Sequence, residues 1–166
     1  MIRMAYCLLT FVFAASCAAV QSSPGPDENA LVKLRAEKNS AEDHVLRAKQ
    51  FPDASKQEKA KKLYEDATAQ YNAYIDGLLH CIRTGKSADL TPSANQAAVG
   101  VAEFKKYVDD NSTTKGLDWF TTGANFIKTA LDLYKSLKGF QEAARNKYAD
   151  DLMPQIRWKK WIEIKE

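Results

Sequence analysis

Asp76 and His80 stand four residues apart. On a helix that spacing puts both side chains on one face, where they could give a metal two ligands. One such pair is sparse for a metal centre, and an ion pair on a solvated face is the expectation. Glu42-Asp43-His44 sets three polar residues in a row on a charged stretch, which reads as solvated surface. Cys81 follows His80 directly. Adjacent helical residues diverge by about 100°, so this thiol and imidazole do not make a nucleophile and its base. Cys81 is expected as a small buried hydrophobe. The carboxylate pairs Asp109-Asp110 and Asp150-Asp151 point apart and fall near helix ends. The chain has no His-Glu-x-x-His and no Gly-rich phosphate loop. The expectation is a non-catalytic protein with no catalytic residues, no metal and no cofactor. An enzyme using Asp76, His80 and tyrosines between helices is the less favoured alternative.

The C-terminal stretch is the richer candidate. Trp158 and Trp161 interleave there with Arg157, Lys159, Lys160 and Lys165. An indole has an apolar body and a polar N–H, so it suits interfaces. Cations beside it suit anionic lipid head groups or an acidic protein. Arg157, Trp158, Lys159, Lys160 and Trp161 are therefore candidate contacts for a partner or membrane. Packing of both indoles onto the helical body, with the cations left in solvent, is the competing expectation.

The N-terminus reads as an address. Arg3 precedes an apolar run from Ala5 to Ala15, broken only by Thr10, and small residues follow. A basic start, a short apolar core and a small-residue exit make a secretory signal. The run is too short to span a bilayer. The exit Ala14-Ala15-Ser16-Cys17 resembles the lipobox of bacterial lipoproteins, with Ala14 where Leu is commonest. The resemblance implies that residues 1–16 are removed and that Cys17 becomes an acylated first residue. Ala18 follows it, and in enterobacterial-type sorting a residue other than Asp there implies the outer membrane, facing the periplasm. Residues 17–26, rich in Gln, Ser, Gly and Pro, suit a flexible tether. The alternative is cleavage after Ala18, with Ser16 and Ala18 as the small pair, giving a soluble secreted protein.

The chain has 166 residues, 24 Lys+Arg against 21 Asp+Glu, and a net charge of +3. Removing the leader takes away only Arg3 among these. A body this balanced is not a general nucleic-acid binder. Hydrophobic residues at 45% and charged residues at 27% are ordinary for one globular domain. With Cys7 in the leader and Cys17 acylated or removed, only Cys81 remains, so no internal disulfide forms.

The elements that must position these residues read as all-α: an antiparallel bundle of about four helices over residues 27–153, then a tail over 154–166. The first pattern runs from about Asp27 to Gln50, on a thin stripe of Leu31, Leu34, Ala41, Val45 and Ala48 interrupted by Lys38. The second starts near Ser55, where Ser55 and Glu58 fit a capping box, and carries Ala60, Leu63, Ala67, Tyr71, Tyr74, Leu78 and Cys81 to a stop at Gly85. Thr91-Pro92 announces the third, with Ala94, Ala97, Val101, Phe104 and Val108 inside and Gly100 as a point of close approach. The fourth is expected to be long, from about Leu117 to Leu152. Its centre is Ile127 and Leu131, with Phe126, Ala130 and Leu133 broadening the face, and Met153-Pro154 closes it. The tail alternates like a strand, yet a short helix after Pro154 fits as well.

Overall fold

The computed structural model describes residues 27–113 and 122–165. The signal segment 1–16, the tether 17–26 and Cys17 lie outside the described residues, as does the stretch from Leu117 to Phe120. Described are five helices: α1 Glu28–Lys49, α2 Ala54–Thr84, α3 Thr91–Asn111, α4 Gly123–Leu137 and α5 Glu142–Ile156. One 3-10 turn, Trp161–Glu163, follows them. The class is all-α, and the described residues hold no strand.

Sequence spacing explains the packing. The buried positions Ala30, Leu34, Glu37, Ala41, His44 and Ala48 of α1 alternate four and three residues apart. In α2 the same rhythm runs through Ala60, Tyr64, Ala67, Tyr71, Tyr74, Leu78 and Cys81. In α3 it runs through Ala94, Ala97, Val101, Phe104 and Val108. This is the 3.5-residue period that keeps one seam facing a neighbour. α3 packs chiefly on α2. Gly100 permits it, since a Cβ there would meet the Gln70 side chain and lie 3.3 Å from Ala67 Cα.

Four expectations about the second and fourth helices need correction. Leu63 is only partly buried, and Tyr64 takes its place in the seam. The cap of α2 is Asp53, whose carboxylate accepts the Ser55 N–H at 2.8 Å, so Ser55 already lies in the first turn. The long fourth helix is two helices. Phe140 N–H turns back to the Leu137 carbonyl, and Gly139 sits at the break with open space around it. A mid-helix Gly costs about 1 kcal/mol against Ala, and here nothing packs to offset it. The inward face of α4 is also rotated by one residue. Phe126, Ala130, Leu133 and Leu137 are buried, Ile127 is partly buried, and Leu131 is 44% exposed.

Pro154 does not end the last helix. It lies inside α5, which continues to Ile156. Its missing N–H costs one ladder bond, but the ladder resumes beyond it, with the Arg157 N–H donating to the Met153 carbonyl at 3.0 Å. The helix end expected at Met153-Pro154 therefore lies at Ile156. The tail is neither a strand nor a regular α-helix. Arg157, Lys160 and Ile164 are extended, and the 3-10 turn stands between the last two. No described helix is long and apolar enough to cross a membrane.

The rotated face of α4 sets the first prediction. Leu133→Ala, fully buried, is expected to cost about 2–5 kcal/mol through lost burial and a residual cavity. Leu131→Ala is expected to cost under about 1 kcal/mol. Urea unfolding of both variants checks the order.

Candidate functional site

The tail runs across α1 and α2 and is tied to them at Arg157, Trp158, Lys159, Trp161 and Ile164. Trp158 lies between two rings of α2, stacked on Tyr64 at 5.5 Å and 8° and on Tyr71 at 4.8 Å and 27°. Asn72 grips its backbone from both sides: the Trp158 N–H donates to Oδ1 at 3.0 Å, and Nδ2 donates to the Trp158 carbonyl at 3.2 Å. The Tyr64 hydroxyl donates to the Lys159 carbonyl at 2.7 Å. Trp161 meets Tyr64 edge-on at 5.8 Å, and the Lys49 ammonium stands 5.7 Å from its ring centre. Lys49 also donates to the Ile164 carbonyl. A side-chain amide here does the work of a neighbouring strand, which is how an extended segment lies on helices without unpaired backbone.

The five candidate residues divide by face. Trp158 and Trp161 are buried, at 4% and 9% exposure. Arg157, Lys159 and Lys160 are exposed. Arg157 pairs with Asp76 at 3.0 Å and Lys159 with Glu42 at 3.2 Å. Asp76 thus meets the tail and not His80, which is exposed. Ile162 is 71% exposed, though it lies between two buried residues, Trp161 and Ile164. Between the tail and α2 lies a groove of about 490 Å³, bounded by Glu65, Ala69 and Asn72 on one side and Arg157, Lys160 and Ile162 on the other. It offers both charge signs beside aromatic walls, which suits a polypeptide better than a simple ion.

A second polar group was not expected. Glu37 and Lys105, 0% and 1% exposed, pair at 2.8 Å between α1 and α3. His44, expected in solvent, is fully buried against Phe104. Its Nδ1 lies 2.6 Å from the Ser40 carbonyl, so the ring proton sits on Nδ1. Nε2 faces Asp109 at 3.5 Å. Arg47 covers that carboxylate at 2.6 Å. Burial holds the imidazole below its ordinary value; the Ser40 carbonyl and Asp109 pull it up, while Arg47 and Lys105 push it down. Tyr71, packed on the tail, is driven well above the ordinary phenol range, by burial first and by Glu37 second. The clue in the sequence was position: Glu37 and His44 occupy the three-four rhythm of α1, where only apolar residues were sought.

No protein-family model, curated protein or solved structure matches the chain.

Two predictions follow from the buried charges. Lys105→Met leaves Glu37 buried without its counter-charge and is expected to cost about 3–5 kcal/mol, whereas the double change Glu37→Leu, Lys105→Met recovers most of it. Urea unfolding of the three proteins reads this. His44 binds a proton less readily when folded than unfolded, so stability rises with pH around its ordinary value of 6.5 and falls as pH drops below it. His44→Gln is expected to flatten unfolding free energy between pH 7 and pH 5 relative to the unaltered chain.

Proposed function

We propose that this is an exported, lipid-anchored protein of a bacterial envelope, with a binding or bracing role and no catalytic one. The observation that carries the reading is Cys17, placed after Ala14-Ala15-Ser16 at the exit of an apolar run. The resemblance to the lipobox implies acylation there and a place on the outer membrane facing the periplasm. On this reading residues 17–26 tether an antiparallel helical bundle to the membrane, and α5 with its tail covers one side of it.

The surface offered to a protein partner is the outer side of the tail: Arg157, Lys159, Lys160, exposed Ile162 and the groove beside them. The two Trp back that surface from within. The partner is a protein with acidic residues around an apolar contact, because such a patch meets exposed cations and Ile162 together. Ser16 and Ala18 also fit ordinary signal cleavage, which makes a soluble secreted helical binding or inhibitor protein the second reading.

Intact mass of the mature chain separates the two, since acylation adds several hundred daltons and cleavage after Ala18 removes Cys17. Cys17→Ser is expected to move the protein from the membrane fraction to the soluble one, or to leave it unprocessed in the inner membrane. A processed mutant that still partitions with the outer membrane contradicts the anchor.

A further inference from the structure

The far end of α2 carries an apolar pocket of about 230 Å³ that the tail does not touch. Its walls are Leu78 and Cys81 of α2, Leu90 of the following loop, and Ile127, Ala130 and Leu131 of α4. The rotation of α4 makes it. With Phe126, Leu133 and Leu137 turned inward, Ile127 is left partly buried and Leu131 44% exposed, on a side that no described helix closes over. The loop fixes its shape. Gly85 takes φ +67°, the left-handed turn that sends the chain back. Leu90 then lies so close to Gly77 that a Cβ there would meet it at 2.9 Å. The Tyr134 hydroxyl donates to the Gly85 carbonyl at 2.8 Å and pins this loop to α4.

The tether enters on the other side of the same helix. The Asp27 N–H donates to the Ser136 hydroxyl of α4 at 3.1 Å. Ser136 is two residues beyond Tyr134, which lines the pocket, and so stands about 200° round α4 from it; a chain leaving Asp27 passes round α4 to reach the pocket. The ten residues 17–26 extend to roughly 33 Å at most, so a group on Cys17 reaches the pocket easily and at high effective concentration. The charge at the rim selects among alkyl ligands. Asp89 is held below the usual carboxylate range by hydrogen bonds from the Thr91 side chain and backbone N–H. A free fatty acid brings a second carboxylate to that rim, whereas an ester- or thioether-linked chain brings none.

We propose that this pocket is an alkyl-chain site whose occupant is one acyl chain of the lipid on Cys17. The inference rests on the anchoring reading above. It gives α4 a role there: its exposed Leu131 side holds the lipid, and the end of the body bearing the tether lies against the bilayer.

The test uses the mature Cys17→Ser chain and the acylated chain, both with phospholipid nanodiscs present, and reads methyl spectra of Leu90, Ile127 and Leu131. In Cys17→Ser, n-alkanols are expected to shift these methyls, with affinity rising about fourfold per added methylene until the pocket is full. Octanoate binds more weakly than octanol. Leu131→Trp, at an exposed rim position that the fold tolerates, abolishes the shifts while the rest of the spectrum is kept. In the acylated chain the methyls already lie at the alkanol-bound positions, and octanol moves them no further. Methyls of Cys17→Ser that ignore alkanols overturn the site. An acylated chain that titrates with octanol as Cys17→Ser does overturns the occupant. A mature mass without acyl groups overturns the anchor itself, and the alkanol series on Cys17→Ser reads the pocket separately from that result.

Discussion

Trp158 lies between two tyrosine rings of α2, and a single asparagine holds its backbone on both sides. Three large rings buried together remove several hundred Å² of apolar surface from water. This contact decides where the last part of the chain goes. Once Trp158 is seated, Lys38 reaches the Pro154 carbonyl at 2.9 Å and Arg157 reaches Asp76. α5 is thereby laid against α1 and α2. The exposed pairs contribute little each, because surface ion pairs are worth at most about 1 kcal/mol. They align a segment that the aromatic stack already holds.

The stack also borders the buried charges. Tyr71 touches Trp158 on one side, and its hydroxyl feels Glu37, whose partner Lys105 comes from α3. Tail, α2, α1 and α3 thus meet around one small region. A buried ion pair adds little net stability over apolar residues of the same size, but it penalises any register in which the charges miss.

The sequence revealed the helical class, the ends at Gly85 and Phe51-Pro52, and the close approach at Gly100. Helical periodicity accounts for the class, the left-handed freedom of Gly85 and the ring of Pro52 for the ends, and the missing Cβ for Gly100. It misled where a charge occupied a seam position. Glu37 and His44 keep the rhythm of α1, but their polarity pointed outward, and only Lys105 and Asp109 from another helix reverse that judgement. Leu131 was placed inside because α4 and α5 were read as one helix with one face. The break at Gly139 separates the two, and α4 takes the neighbouring face that carries Phe126 and Leu133. Pro154 looked like a stop because a proline usually is one; it withholds one ladder bond, and α5 still runs two residues past it. The tail could not be assigned because its partners are side chains, Asn72 and Tyr64, which no backbone pattern announces.

The tail adds Trp158, Trp161 and Ile164 to the core and leaves its other side free. The free energy of unfolding of a chain ending at Ile156, set against the full mature chain, tests this most directly. Each buried Trp is worth about 3–5 kcal/mol. The shortened chain is expected to be unfolded or to lose most of its stability. A shortened chain that unfolds cooperatively at the same urea concentration as the full one would contradict it.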